Sequence, residues 1–320
     1  MPDNNKPRVK YPKQEHFVAD ASKLEELVVD RIDENTLSAS LWQEAWRNLR
    51  RRVMFWVAAV LILAVLVVAF FPSLFSSVDP AYCSLITSLD PPTAGHPFGF
   101  DRQGCDIYAR VIYGAQASVS VGVVTTLIVV ILGGTIGALA GFFGGFWDSL
   151  LSRITDIFFA IPLVLAAIVV GQVFRSNAGI WGVVMVLGVF GWPQIARITR
   201  GAVIGVKNND FVTAARALGA SRWNILFKHV LPNAAAPIIV VATTSLGVFI
   251  VAEATLSFLG IGLPQGVLSW GHDIATAQVS LRTNPMILFY PSMALAITVL
   301  GFILLGDVVR DALDPKARKR

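Results

Sequence analysis

The stretch that decides the fold of this chain covers residues 210–233 and reads DFVTAARALGASRWNILFKHVLPN. Apolar residues recur along its first part at the i, i+3, i+4, i+7 spacing of one helix face: Phe211, Ala214, Ala215 and Leu218. Gly219 is a natural helix stop, Ser221 can cap a second helix, and Pro232 is expected to end that helix. The stretch therefore predicts a hairpin of two short helices with one apolar face, which is typical of a surface that binds a partner.

On both sides of this hairpin the chain is too apolar for a soluble protein. Of its 320 residues, 55% are hydrophobic and 15% are charged, whereas soluble domains have about 25% charged residues. A membrane-crossing helix needs about 20 mostly apolar residues. The segments that qualify are Val53–Phe71, Ala117–Phe143, Ile154–Phe174, Ala178–Ala196, Ala234–Leu259 and Met286–Gly306. Such long apolar runs indicate helices and not a β-barrel, so the sequence predicts an all-α membrane protein with six transmembrane helices.

The distribution of positive charge predicts which side of the membrane each loop occupies. If the N-terminus lies inside, the only ones of the 26 Lys and Arg residues that fall outside are Arg102, Arg110, Arg175 and Arg282. Because cytoplasmic loops carry the excess of Lys and Arg, both termini and the hairpin are expected in the cytoplasm. The net charge of +5 then reflects topology, and no nucleic-acid partner is expected.

These features divide the chain into five parts. They are a cytoplasmic N-terminal tail (1–52), a first transmembrane helix (53–71), an extracytoplasmic segment (72–116), a core of five transmembrane helices (117–306) that includes the loop 197–233, and a cytoplasmic C-terminal tail (307–320). Within the first tail, Ser40 to Arg52 predicts an amphipathic helix in the lipid headgroup layer, because an apolar stripe that includes Trp42 and Trp46 is followed by several arginines. The first span begins too late to be a cleavable signal peptide, so it is expected to remain as an anchor.

The hairpin resembles the EAA loop of the permeases of ABC importers. That loop has the pattern Glu-Ala-Ala, three residues, Gly, nine residues, an apolar residue, one more residue and then Leu-Pro. The residues that match at this spacing are Ala214, Ala215, Gly219, Leu231 and Pro232. Thr213 stands where the family usually has Glu, and His229 stands where Ile is common.

Further stretches narrow the resemblance to the dipeptide, oligopeptide and nickel permeases. Residues 96–114 are similar to the family's His-Pro-Phe-Gly-Thr-Asp…Gly-Arg-Asp…Arg-Val-Ile-Tyr-Gly signature, with Phe100 in place of Thr and Cys105 in place of Arg. Residues 253–271 resemble its Glu-x-x-Leu-Ser-Phe-Leu-Gly-Leu-Gly…Pro…Ser-Trp-Gly run, and residues 306–315 resemble its Gly-Asp-x-x-Arg-Asp-x-Leu-Asp-Pro ending. Together with the Ser-Leu-Trp sequence before the first span, these motifs indicate the C-type subunit.

The resemblance implies a fold, a function and a set of partners. The fold would be that of a type I importer permease, and the chain would import dipeptides or oligopeptides across a bacterial inner membrane. Its partners would be a homologous B-type permease, one or two cytoplasmic ATPase subunits and an extracytoplasmic solute-binding protein. The ATPase subunits would bind ATP and Mg, and this chain would bind no cofactor; its sequence has no GxxxxGK[ST] P-loop.

The resemblance also assigns an ATPase-coupling loop. Its residues would be Asp210, Phe211, Thr213, Ala214, Ala215, Arg216, Leu218, Gly219, Ser221, Arg222, His229, Leu231 and Pro232. Outside the loop, Glu253 is a candidate gate or pathway residue, because carboxylates buried in membranes usually face a cavity or a partner. The alternative is a surface glutamate at the headgroup level that caps nearby backbone.

Two residue patterns carry structural expectations. Cys83 and Cys105 share the extracytoplasmic segment, where disulfides persist, so we expect a bridge, with two free thiols as the alternative. Its loop entropy would contribute about 3 kcal/mol. Glycines recur every four residues along and after the second span, at Gly133, Gly137, Gly141 and Gly145. This spacing lets helices approach closely, either within this chain or against a second permease.

Other functions remain open at this point. Within the family, nickel or glutathione import is the alternative to peptide import. A secondary transporter or channel would need charges in the middle of its spans, where Glu253 is nearly the only candidate. A membrane enzyme would need a catalytic set, but the four histidines lack metal-ligand spacing and no nucleophile elbow is present. We therefore expect no catalytic and no metal-binding residues, and the hairpin favours the importer.

Overall fold

The computed structural model describes residues 41–173, 179–264 and 266–313, and within these ranges the chain is helical with only isolated β-bridges. The α-helices are, in chain order, α1 (Leu41–Leu49), α2 (Val53–Phe70), α3 (Ile107–Phe143), α4 (Gly145–Ala160), α5 (Leu163–Val173), α6 (Gly179–Lys207), α7 (Asp210–Ala217), α8 (Arg222–Asn224), α9 (Leu231–Phe258), α10 (Trp270–Ala277) and α11 (Met286–Leu313). A π-helix at Ile225–Val230 joins α8 to α9. Short 3-10 helices lie at Pro72–Leu74, Leu85–Thr87 and Gln278–Ser280. The predicted cap of α1, Ser40, lies outside the described residues.

Five of the predicted spans correspond to single long helices. The helical segments that are long and apolar enough to cross a membrane are Val53–Phe70, Ile107–Phe143, Gly179–Lys207, Arg222–Phe258 and Met286–Leu313. The second of them begins at Ile107, well before the predicted start at Ala117, because Asp106 caps it: its side chain accepts a hydrogen bond from the Ala109 amide at 2.7 Å. The last residues of the predicted extracytoplasmic segment are therefore helical.

The third predicted span, Ile154–Phe174, is wrong as a single helix. The chain there forms α4 and α5, which meet at a bend of 80°. The cause is Pro162, since the residue before a proline is driven out of the helical region. Ile161 is accordingly extended, with φ −85° and ψ 118°. The pair counts as one broken span or as a re-entrant loop by its geometry alone.

The centre of the bundle is a close contact between α3 and α6. Gly133, Gly137 and Gly141 face α6, and a Cβ atom on them would lie 2.6, 2.3 and 2.8 Å from the carbonyl oxygens of Trp192, Ala196 and Arg200, respectively. We call this contact the glycine seam. It lies within this chain, which decides between the two interpretations of the glycine repeat for these three positions; Gly145 instead begins α4 with open space around its Cβ position.

The glycine seam also fixes the direction of the helices. Residue numbers rise together on α3 and α6 along the seam, so the two helices run parallel. The chain between them must therefore return from one end of the bundle to the other. It does so through α4 and α5: Asp148 of α4 bonds Arg200 near the end of α6, whereas Gly171 of α5 lies beside Ile261, after the end of α9. The broken pair thus traverses the bundle.

The segment between α2 and α3 is folded back on itself by short-range bonds. Cys83 and Cys105 form a disulfide, with their Cα atoms 4.1 Å apart, as the sequence led us to expect. The neighbouring Asp106 caps α3 and also bonds the His96 ring. The cap of the long helix α3 and the disulfide are therefore adjacent in the chain.

Candidate functional site

The predicted hairpin is anchored to the bundle by one face. Its buried side chains are Val212 from α7, Ile225, Leu226 and Val230 from the π-helix, and Ala234 from α9, and they pack with Ala138 of α3 and Val203 of α6. The hairpin therefore rests on the ends of the two helices that form the glycine seam. Lys207 adds a polar tie, because its ammonium group donates to the Gly141 carbonyl at the end of α3 at 2.5 Å.

The turn of the hairpin has the geometry that the sequence predicts. Gly219 has φ +81°, a conformation in which a side chain is strained. The Ala220 amide donates to the Ala215 carbonyl at 3.1 Å, which is the closing bond of a Schellman motif. Ser221 caps α8, since its hydroxyl accepts from the Asn224 amide at 3.3 Å.

The predicted end of the second helix at Pro232 is wrong. The helical segment continues from Arg222 to Phe258, and Pro232 lies in the first turn of α9. A proline normally removes a hydrogen bond and clashes with the preceding turn. Here the π-helix at Ile225–Val230 widens that turn directly before the proline, and the helix continues. The hairpin is thus continuous with the long helix α9.

The other face of the hairpin carries exposed apolar side chains. Leu218 is 88% exposed at the turn, and Phe211 is exposed on α7. Trp223 and Phe227, which sequence analysis did not assign, are also exposed and stack with ring centroids 6.0 Å apart. Their i, i+4 spacing was the signal that could have identified them. This exposed apolar face, formed by Phe211, Leu218, Trp223 and Phe227, is what the structure offers to a partner.

The structure places the predicted coupling residues as follows. Those at the exposed surface are Asp210, Phe211, Thr213, Ala214, Arg216, Leu218, Gly219, Ser221, Arg222 and Pro232, and those partly buried are Ala215, His229 and Leu231. Thr213, which replaces the family's Glu, directs its hydroxyl to the Asn209 carbonyl at 3.4 Å. At this position the hairpin therefore offers no negative charge.

Glu253 lies at the opposite end of α9 and is fully buried, with 0% exposure. Its Oε1 atom accepts a hydrogen bond from the Ser257 hydroxyl at 2.8 Å. The buried position contradicts the alternative of a glutamate on the protein surface. It does not line the neighbouring cavity of about 340 Å³ directly; Ser257 and the chain between α9 and α10 do.

A buried ion pair that sequence analysis did not single out fixes α10 at the same end. Asp273 of α10 accepts from the Arg110 Nε and Nη2 atoms at 2.8 and 2.5 Å. Burial raises the pKa of the Asp273 carboxyl, and the Arg110 guanidinium opposes that shift. Within the described residues, no cluster of three His, Cys, Asp or Glu side chains could hold a metal ion.

Comparison with known proteins identifies the family of this bundle. Residues 133–319 match the family "Binding-protein-dependent transport system inner membrane component", and residues 40–92 match the "N-terminal TM domain of oligopeptide transport permease C". The oligopeptide transport system permease protein OppC of Bacillus subtilis (strain 168) is 36% identical over 282 residues, which cover 88% of this chain and 92% of OppC. The glutathione transport system permease protein GsiD of Escherichia coli O6:K15:H31 is 38% identical over 278 residues, which cover 87% and 91% of the two chains.

A solved structure shows the same fold at lower similarity. A chain of the MetNI methionine ABC transporter in inward-facing conformations superposes with a TM-score of 0.54 at 20% identity, covering 64% of this chain and 96% of that chain. ABC importers of this kind work with an ATPase and a binding protein. The chain therefore belongs to the binding-protein-dependent transport system inner membrane components, and it is a multi-pass inner-membrane permease subunit of an ATP-driven ABC importer.

Proposed function

We propose that this permease carries short peptides into the cell. The observation that supports the substrate class is the similarity to both OppC and GsiD, since oligopeptides and the tripeptide glutathione share a peptide backbone with charged ends. Glutathione alone is the narrower possibility within this class. Nickel is the other alternative from the sequence.

The exposed apolar face of the hairpin is the proposed docking site for a separate cytoplasmic ATPase subunit. Membrane-facing surfaces are apolar as a rule, but this face belongs to a segment that also carries Asp210, Arg216 and Arg222 and therefore lies in water. Exposed aromatic and leucine side chains rimmed by charges are typical of a protein interface. ATP and Mg would bind to the ATPase, and closure of an ATPase pair would move the docked hairpins and rock the helices.

A second, B-type permease completes the proposed pathway. One bundle of six crossings is too small to enclose a peptide path by itself, so the proposed path lies at the interface between two homologous permeases. Substrate would arrive from a solute-binding protein on the side of the membrane that holds the disulfide-bonded segment. Glu253 bonds Ser257, which lines the cavity, and in this way remains a candidate pathway residue.

The substrate class can be tested by uptake in a strain that lacks this chain. We expect the deletion to abolish uptake of a labelled tripeptide and of a labelled pentapeptide, and the chain supplied from a plasmid to restore both. An excess of unlabelled peptide should compete, whereas nickel ions should not. Normal peptide uptake in the deletion strain, together with lost glutathione or nickel uptake, would contradict the proposal and would identify the alternative cargo.

A further inference from the structure

The chain between α9 and α10, which we call the α9–α10 connection (residues 259–264 and 266–269), forms one wall of the 340 Å³ cavity. Its wall residues include Gly260, Ile261, Gly262 and Leu263, and α5 and α6 form the opposite wall. The connection packs so closely against α9 that there is no room for a side chain between them: a Cβ atom on Gly262 would lie 2.3 Å from the Ser257 amide nitrogen. A Cβ atom on Gly271, in α10, would lie 2.5 Å from the Ala254 Cα atom.

Three serine hydroxyls hold the backbone of this wall. Ser257 accepts a hydrogen bond from the Leu263 amide at 3.2 Å, and Ser118 of α3 accepts one from the Trp270 amide at 3.3 Å. Ser269 accepts one from the His272 amide at 3.2 Å. All three side chains are buried. The bonds are thus distributed over the connection and the start of α10.

A hydroxyl that accepts such a bond still has its own proton to donate. On the helices of this protein, hydroxyls usually give that proton to the carbonyl four residues earlier, as Thr126, Thr255 and Thr298 do at 2.8 Å. Ser257 departs from this pattern and donates to the Glu253 carboxylate instead. The Ser118 and Ser269 hydroxyls lie beside the same carboxylate.

Glu253 has the acceptor capacity to serve all three hydroxyls. A carboxylate offers about four lone-pair sites, and the Oε2 atom of Glu253 has no hydrogen-bond partner among the described residues; its lone pairs are therefore available to the neighbouring Ser118 and Ser269 hydroxyls. An unpaired buried carboxylate is costly, so three donors around it stabilise the buried side chain and the wall together.

We propose that Glu253 is a positioning residue for import, which holds the cavity wall in place by accepting the protons of Ser118, Ser257 and Ser269 while these hydroxyls hold the backbone of residues 263–272. The carboxylate does not touch the substrate in this arrangement. It acts through the serines, and a change at Glu253 loosens a wall that the side chain itself does not line. The role in import rests on the proposed transport function, whereas the fixing of the wall does not.

The wall can be tested with a cysteine probe. Cys83 and Cys105 are bonded to each other, so in a transporter that carries Leu263→Cys this chain has one reactive thiol, at a position that is 7% exposed, and labelling is read on this chain after its separation from its partners. In this background we expect Glu253→Ala to raise the rate of maleimide labelling about tenfold or more, because the labelling rate follows the fraction of open wall. Glu253→Gln should lie between, since its amide oxygen can accept fewer of the three protons. Thr255→Ala, two residues further along α9, is the matched control and should leave the rate unchanged.

A double-mutant cycle tests whether Glu253 acts through Ser257 or whether the two side chains stabilise the wall independently. If Ser257 acts through Glu253, adding Ser257→Ala to Glu253→Ala changes labelling little, although Ser257→Ala alone raises it. If the effects of the two substitutions on the labelling rate multiply, Glu253 does not act through Ser257 and the proposal is wrong. Unchanged labelling in both Glu253 variants would also contradict it. Should Glu253→Ala fail to assemble, the same cycle with Glu253→Gln decides. Peptide import should fall as labelling rises; loose walls with normal import would refute the role in import, whereas a wild-type protein that imports no peptide would refute only the proposed substrate.

Discussion

At the residue scale, the glycines at 133, 137 and 141 set the distance between α3 and α6. The space that a methyl group would need is already occupied by backbone of α6, which cannot move aside as the end of a flexible side chain can. The sequence pattern indicated a close helix contact here. It could not name the partner, because spacing within one helix holds no information about the opposite surface.

This contact predicts that an alanine substitution changes the stability of the protein differently at two glycines of α3, Gly137 and Gly134. Gly137→Ala places a Cβ atom 2.3 Å from the Ala196 carbonyl oxygen and should destabilise the protein by about 1–3 kcal/mol. Gly134→Ala, on the open side of the same helix, meets nothing within 4 Å and should be neutral or stabilising by about 1 kcal/mol. Thermal unfolding in detergent measures both. Equal melting temperatures for the two variants would mean that α3 and α6 are not packed as described.

At the element scale, a local cause made a helix end predictable where its signal was recognised. Gly219 and Ser221 act on the next few residues, and the sequence predicts the turn and the Ser221 cap correctly, whereas the local cap Asp106 went unrecognised and the start of α3 was placed too late. The other errors arise where two local signals compete. Pro232 was predicted to end a helix, but the wider turn of the π-helix before it accommodates the proline and the helix continues. Around Pro162 the sequence predicted one continuous span, but the proline separates two helices that meet at 80°.

The turn of the hairpin predicts how coupling fails. Gly219→Val introduces a β-branched side chain at φ +81°, at a cost of about 1–2 kcal/mol, and should shift the exposed Leu218 and Trp223 relative to each other. We expect less ATPase to co-purify with the permease and peptide import to fall. Gly219→Asn is the control, because Asn tolerates this conformation. Normal import and normal ATPase binding by the Val variant would show that the hairpin is not the coupling site.

At the scale of the whole molecule, the number of crossings decides the placement of the two ends. Arg52 before α2 and Asp311 near the end of α11 form an ion pair at 2.6 Å, so the described ends lie on one side. This agrees with six crossings, of which the α4–α5 pair is one. With five crossings the ends would lie on opposite sides. Which side is the cytoplasm rests on the positive-inside pattern alone.

Reporter fusions test this topology directly. A fluorescent protein that folds only in the cytoplasm should be active when fused to either terminus, because both are predicted inside. Alkaline phosphatase, which is active only outside, should be active when fused between α5 and α6 and inactive when fused directly after α3. Termini on opposite sides would contradict the crossing of α4 and α5, and a full inversion of all signals would contradict the charge-based orientation.

The helical bundle and its family could be predicted from the sequence. The structure of the end that holds the cavity could be predicted only in part. Long apolar runs and the spacing of the hairpin residues are properties of consecutive residues. The contacts between Glu253, Ser118 and Ser269, and between Arg110 and Asp273, join residues that are distant in the chain. Serine in an apolar helix is common, and nothing in its neighbours along the chain distinguishes a serine that holds a loop.

The glycine seam has a mechanical consequence. Because their backbones are in direct contact, α3 and α6 are expected to move together as one rigid unit, which we call the beam. Its longer helix, α3, has 37 residues and is about 55 Å long. The hairpin rests on one end of the beam, and the Arg110–Asp273 pair fastens α10 to the other. If the beam turns about its middle, a tilt of about 5° moves each end by about 2 Å in opposite directions. A displacement of the hairpin by its partner would therefore also displace the cavity end, and no helix would have to slide, bend or unwind.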